Sequence, residues 1–353
     1  MSSWGPGHTN TIGVDLWGHQ VRGQAPNART LVHSAQRPPG DVRRDLRSLY
    51  KSAYRAFADR CRAVDEPGLA VVAVNEHTGA PQGIVQLRAR VERHVAAIVG
   101  RHDRADLYLD SSVELALRHL AVIVDPVTDW RRGSSAVRFR VLDLRTTQGF
   151  CDEQDRTLRG LRAEGPALLR CAGHALFMLP LGDPSDWPQT ADDAWAFLPE
   201  RVYFDELSRV PEGSLTRLPQ VRANGPRTSQ IFRTAGVRDT RDGMVSEGPA
   251  AGVLELVGPG LSGEIRLSDA ALRDGVLLGR YERCDNAGFS DDLSLSRVHA
   301  LLIHIDDRLM IVDTASINGT RLVGEHRQRL IELRGETELQ LGKGTRARWR
   351  YVS

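Results

Sequence analysis

The chain is predicted to be all-β, with two antiparallel β-sandwiches in tandem, an amphipathic helix before them and a long linker between them. Apolar runs of strand length follow one another over residues 67–182 and again over 250–353, separated by Gly, Asp and Pro turns at fairly even spacing. Runs so short and so evenly broken suit antiparallel sandwiches better than βαβ units. The two series also repeat each other, which favours two copies of one architecture over two unrelated domains.

Residues 1–40 are rich in Gly, Pro, Asn and Ser, end in Pro38-Pro39-Gly40 and show no periodicity, so they are expected to be disordered. A helix is expected over 41–65, with Asp41 as N-cap. Its apolar stripe is Val42, Leu46, Leu49, Tyr50, Ala53, Tyr54, Phe57 and Cys61, and arginines occupy the remaining surface. Glu66-Pro67-Gly68 stops it. Strands are then expected at 69–74, 83–91, 94–99, 120–124, 136–142, 168–171 and 174–179. Periodicity is lost over 183–249, read as a linker in which AWAFLPERVYFDELSRV docks as a short helix. Strands resume at 252–257 and continue to residue 351.

Composition narrows the function classes. The chain has 353 residues, 41% of them hydrophobic, which is enough for two cores. Its 47 basic and 45 acidic side chains leave a formal charge of +2, so bulk electrostatics favour neither nucleic acid nor a membrane surface. Cys61, Cys151, Cys171 and Cys284 are scattered without CxxC spacing, and His94, His102, His119 and His174 show no ligand spacing. No metal site, cofactor or disulfide framework is expected, and a reducing cytoplasm fits. The N-terminus lacks the order of a signal peptide, and no apolar run reaches the roughly 18 residues that span a bilayer. No Ser-His-Asp set, P-loop or Rossmann glycine pattern is present. The use of Ala, Arg and Gly over Lys and Asn hints at a high-GC, bacterial genome.

The repeat can be followed residue by residue. LAVVAVNEHTGAPQGIVQLRARVERHVAAIVGRH parallels GVLELVGPGLSGEIRLSDAALRDGVLLGRY, each ending in Gly-Arg: Gly100-Arg101 and Gly279-Arg280. The intervals Arg101 to His119 and Arg280 to His299 are nearly equal. An Asp-x-x-Ser/Thr-x-x-Gly stretch follows in each copy, at 143–149 and 313–319. The first copy carries an extra loop, PVTDWRRGSSAV, before it.

In the second copy LLGRYERCDN, LSLSRVHALLI and IVDTASINGTRL stand in order, separated by strand-length runs. Together they resemble the forkhead-associated (FHA) family, a β-sandwich that captures phosphothreonine peptides on loops at one end. The resemblance implies that Arg280 grips the phosphate, whose oxygens suit the fixed donor fork of a guanidinium. It gives Ser296 a hydroxyl bond to another phosphate oxygen, Arg297 a charge at the rim, and Asn318 the peptide backbone, for which an amide has both donor and acceptor. Gly279, His299, Ser316, Gly319 and Thr320 are expected to support the loops. Ile317 departs from the pattern, standing where many members place a hydroxyl or basic residue. A hydrogen bond lost to an anion weakens binding by about 1.5–3 kcal/mol.

The first copy keeps Arg101 and His119, but its Ser slot holds Ala116, its Arg slot Leu117 and its Asn slot Gln148. A register slip would bring Ser111 or Ser112 to the phosphate at the expense of the spacing to His119. The copy is read as degenerate, its role packing or partner contact. The expected function is that of a non-enzymatic signalling adaptor for a phosphothreonine-containing protein, a Ser/Thr kinase or its substrate. The alternative is a phosphate-independent scaffold. Thr190, Thr228, Thr234 and Thr240 in the linker are candidate phosphorylation sites that the adjacent domain could capture.

Overall fold

The computed structural model describes residues 12–14, 43–127, 137–199, 202–204, 237–240, 243–246, 248–259, 261–281, 284–285 and 292–352. Helix α1 runs Leu46–Arg62. Its cap is Asp45 rather than the expected Asp41, which lies outside the described residues: the Asp45 carboxylate accepts the Ser48 N–H at 2.9 Å and its hydroxyl at 2.6 Å.

Each copy folds as two facing sheets. In the first, the outer sheet places Pro81–Arg88, Gly68–Asn75, His174–Leu181, Ala167–Cys171 and Phe150–Cys151 side by side. The inner sheet runs Gly160–Glu164, Arg138–Asp143, Leu120–Val124, Val95–Gly100. The second copy repeats both orders. Its outer sheet is Leu261–Ser268, Ala250–Gly258, Thr345–Tyr351, Thr337–Leu341, Thr320–Leu322, and its inner sheet Leu330–Leu333, Arg308–Asp313, Ala300–Ile305, Val276–Leu278. The tandem sandwich expectation therefore holds for the fold class, while the strands Phe150–Cys151 and Gly160–Glu164 are not among those expected.

The period of two along these strands shows what each face meets. From Val95–Gly100, Val95, Ala97 and Val99 enter the first sandwich's core, whereas Ala96 and Ile98 point the other way. From Ala300–Ile305, Ala300 and Leu302 enter the second core, and Leu301, Ile303 and Ile305 point out. The outward sets from both copies form one further buried cluster, joined by Ala121, Ile123, Met310 and Val312. The two inner sheets thus pack face to face. On the far side, α1 lays Leu49, Tyr50, Ala53 and Phe57 on Val72, Val74, Phe177 and Leu179 of the first outer sheet. The result is a stack: helix, outer sheet, inner sheet, inner sheet, outer sheet.

The flanking segments are also more anchored than expected. Within 1–40, Ile12–Val14 pairs antiparallel with Pro81–Arg88. Within 183–249, helix α2 (Ala191–Ala196) packs on α1, where Trp195 meets Tyr50 edge-on at 5.3 Å. Tyr54 donates its hydroxyl to the Pro188 carbonyl at 2.6 Å. Val202–Phe204 extends the first inner sheet. Val237–Thr240 and Gly243–Ser246 extend the second outer sheet, the latter parallel to Leu261–Ser268. Residues 205–236, with Thr228 and Thr234, lie outside the described residues. Thr190 caps α2, accepting the Asp193 N–H at 3.1 Å.

Charged side chains tie the inner sheets at equivalent points. Asp285 accepts the Leu277 N–H at 2.8 Å, and Asp106 accepts the Ile98 N–H at 2.7 Å, one in each copy. Arg145 of the first copy forks onto Asp285 at 2.7 and 2.8 Å. Arg329 of the second forks onto Asp106 at 3.1 and 3.2 Å. Paired geometry of this kind fixes how the sheets register more than it adds stability. No helix is long and apolar enough to cross a membrane among the described residues.

Candidate functional site

The expected site residues of the second copy meet at one end of its sandwich. Gly279 ends the Val276–Leu278 edge and lets two backbones touch: a Cβ there would stand 2.4 Å from the Arg297 carbonyl oxygen. The close approach carries Arg280 N–H to Ser296 O at 3.2 Å and Tyr281 N–H to Arg297 O at 2.9 Å. Arg280 is half-buried. Its Nε donates to the Leu295 carbonyl at 3.0 Å, which fixes the guanidinium beside the Ser296 loop.

Ser296 is 4% exposed, and its Oγ accepts the Ile317 N–H at 2.9 Å. Asn318 Nδ2 donates to the Ser294 carbonyl at 2.7 Å. The 294–297 loop is therefore held by Arg280 on one side and by residues 317 and 318 on the other. Arg297 is exposed at the rim, and its carbonyl also accepts Cys284 Sγ at 3.3 Å. Ile317 is 52% exposed, so its apolar side chain stands at the mouth of the loops.

His299, Ser316, Gly319 and Thr320 are placed around the two loops as follows. His299 is fully buried; Nδ1 accepts the Ser296 N–H at 3.0 Å and Nε2 lies 3.2 Å from the Gly319 carbonyl. Burial holds its pKa below the ordinary histidine value. A neutral ring with Nδ1 accepting and Nε2–H donating satisfies both contacts. Asp313 gathers the other loop, accepting Ser316 N–H at 2.8 Å, Ser316 Oγ–H at 2.6 Å and Thr320 Oγ1–H at 2.9 Å. Ser316 Oγ in turn accepts the Gly319 N–H at 2.8 Å, and Gly319 has φ +80°, a conformation that favours glycine.

The same lacing recurs in the first copy, which fixes the correspondence. Arg101 N–H bonds Ala116 O and Arg101 Nε bonds Leu115 O at 2.9 Å. His119 Nδ1 accepts the Ala116 N–H at 3.0 Å, and Nε2 meets Gly149 O at 2.9 Å. Ala116 thus sits in the Ser296 place and Gln148 in the Asn318 place. Gln148 is exposed and makes no side-chain hydrogen bond among the described residues. The slipped register does not occur: Ser111 Oγ is 2.7 Å from His174 Nε2.

Several residues at the site escaped the sequence reading. Asp292 props the Ser296 loop, accepting the Ser294 N–H at 2.8 Å and the Thr345 hydroxyl. Arg329 holds Asp313 at 3.1 Å. Two arginines arrive from the first copy: Arg104 donates to the Ile317 carbonyl, and Arg118 to the Ala315 carbonyl at 2.8 Å. Arg327 adds a third, at 3.2 Å from Ile317 O. No motif marks them, and for Arg104 and Arg118 the contacts span about two hundred residues, which leaves no local signal. Among the described residues no group of three His, Cys, Asp or Glu is placed to hold a metal ion.

Residues 276–342 match the family model of the FHA domain. Among solved structures, FHA-1 of Mycobacterium tuberculosis Rv1747 is 21% identical, covering 30% of this chain and 100% of that one, with a TM-score of 0.23. The FHA domain of CT664 from Chlamydia trachomatis is 21% identical over 29% of this chain and 98% of its own, with a TM-score of 0.26. The Slr1951 protein from Synechocystis is 20% identical over 30% and 99%, with a TM-score of 0.26. No curated protein matches the chain. Residues 276–342 are thus an FHA domain, carried by the second of two sandwiches that share one strand order.

Proposed function

We propose that the second sandwich reads phosphothreonine in a partner protein and that the chain acts as a non-enzymatic adaptor downstream of a Ser/Thr kinase. The observation that carries this is the convergence of Arg280 and Asn318 on the 294–297 loop that carries Ser296, within the segment that matches the FHA domain. A guanidinium, a buried hydroxyl and an amide then face one end of the sandwich. Those three groups suit a phosphate dianion and the extended backbone beside it. In this reading Arg280 holds two phosphate oxygens, Ser296 donates to a third, Arg297 adds charge at the rim and Asn318 positions the peptide.

Titration of a phosphothreonine peptide library against the full chain tests the reading. Arg280→Ala is expected to weaken binding at least ~100-fold, since it removes a bidentate charge-assisted pair. Binding that ignores the substitution, or that is equal for unphosphorylated peptides, would leave the alternative of a phosphate-independent scaffold. Ile317 is what favours that alternative, because it gives an anion no side-chain donor.

A further inference from the structure

Ser296 Oγ is approached by two donors. One is the Ile317 N–H at 2.9 Å. The other is Arg118 Nη2, from the first sandwich, at 3.5 Å, the long limit of a hydrogen bond. A hydroxyl oxygen has two lone pairs and one proton. With both lone pairs facing donors, the proton is left to donate, and no acceptor for it stands among the described residues. Ser296 is set as a donor before any ligand arrives.

Arg118 is itself unusual. It is 5% exposed, its Nε has no partner, and it makes no ion pair with a carboxylate among the described residues. Burial draws its pKa down to about 10, and Asp313, the acid that most offsets this, is already engaged by Arg329, Ser316 and Thr320. A buried cation without a counter-ion is costly unless something supplies the charge. Val298 occupies the equivalent position in the second copy and lies in the apolar contact between the inner sheets. Only one copy therefore carries this arginine, and it points at the other copy's site.

We propose that Arg118 is a positioning residue for the phosphate site of the neighbouring sandwich, committing Ser296 to donate and placing a buried positive charge behind the bound phosphate. This rests on the phosphothreonine reading above. Arg104 extends the same role at the rim, where it and Arg327 share the Ile317 carbonyl. The phosphate site is then composite. The first sandwich lacks the Ser and Asn of its own site and lends its arginines to the second.

The test uses the full chain and one phosphothreonine peptide selected from the library, titrated calorimetrically. Arg118→Met removes charge and donors at similar volume, and Arg118→Gln keeps a donor for the Ala315 carbonyl should the first variant fail to fold. Each is expected to weaken binding about ten-fold, the size of one lost charge-assisted bond. Arg118→Lys is expected to recover most of that loss, which a purely structural role would not predict. In a Ser296→Ala background, Arg118→Met should cost clearly less than in the wild type, because the part of its effect that runs through the hydroxyl is gone and only the part due to the buried charge remains. Wild-type affinity in both neutral variants, or a lysine variant as weak as they are, would overturn the proposal. If the wild type shows no preference for the phosphorylated peptide, or Arg280→Ala binds as it does, the phosphothreonine reading itself is what fails.

Discussion

Ile317 is the residue at which the candidate site departs from the FHA pattern, and the structure shows which of its groups are already engaged. Its N–H is used by Ser296 and its carbonyl by Arg104 and Arg327, so the backbone is fixed while the half-exposed side chain is left idle. Ile317→Thr keeps a β-branched side chain and introduces a hydroxyl at the loop mouth. We expect phosphopeptide affinity to rise roughly ten-fold, at the weak end of a hydrogen bond to a charged group, with thermal stability unchanged. Calorimetric titration against wild type checks this, and equal affinities would show that position 317 does not reach the phosphate. The candidate site residues were legible because each is tied to a local motif: Gly-Arg after a strand, Ser-Arg-x-His, Ser-x-Asn-Gly-Thr. Asp292 and Arg118 were not, since a carboxylate that props a loop and an arginine that crosses from another sandwich look like ordinary surface charge in sequence.

At the scale of elements, strand and helix positions followed from periodicity, and what covered each face did not. The runs AAIV, LAVIV and LLIHI are apolar on both faces, which a half-exposed sandwich strand would not be. That signal says an outer face is buried; it does not say whether a helix, a linker or a second sheet buries it. For the first outer sheet the answer is α1. Phe57 is fully buried there, with ring centroids 5.8 Å from Tyr50, 5.6 Å from Tyr54 and 6.1 Å from Trp187. Phe57→Ala should cost about 3–5 kcal/mol, the range for truncating a buried aromatic in a packed core. Urea unfolding measures it, and a loss below about 1 kcal/mol would mean that α1 is not part of the fold's stable body. Phosphopeptide affinity should be unaffected, because α1 lies on the far face of the first outer sheet, with the first sandwich's core between it and the inner sheets. The helix start was misplaced by one turn for a simple reason: both Asp41 and Asp45 can cap, and only the packed register of Leu46 and Leu49 selects between them.

For the whole molecule, the decisive feature is the buried cluster between the two inner sheets. Ile98, Ala121 and Ile123 from one copy and Leu301, Ile303, Met310 and Val312 from the other have no second place to go if the sandwiches part. Each large side chain exposed by separation forfeits about 1.5–3 kcal/mol, several together exceed what one small sandwich can spare, and the forked pairs at Asp106 and Asp285 would lose their partners as well. The two copies should therefore unfold as one unit, giving a single calorimetric transition whose van't Hoff and calorimetric enthalpies agree. Two separated transitions in the wild type would show independent domains joined by a tether. Placing a charge in the contact with Ile123→Asp is expected to uncouple them, producing two transitions or a broad one, while the first sandwich's own core residues stay untouched. Cooperative unfolding also carries a consequence for the ligand. A phosphopeptide bound to the second sandwich at a hundred times its Kd adds about 2.7 kcal/mol to whatever unfolds with that sandwich. If the copies are one unit, slowed hydrogen exchange should appear in Leu120–Val124 and Val95–Gly100 of the first sandwich as strongly as in Ala300–Ile305 of the second. Protection confined to the second sandwich would mean that the first opens on its own, and that arginines reaching across from it cannot be held in place when the peptide binds.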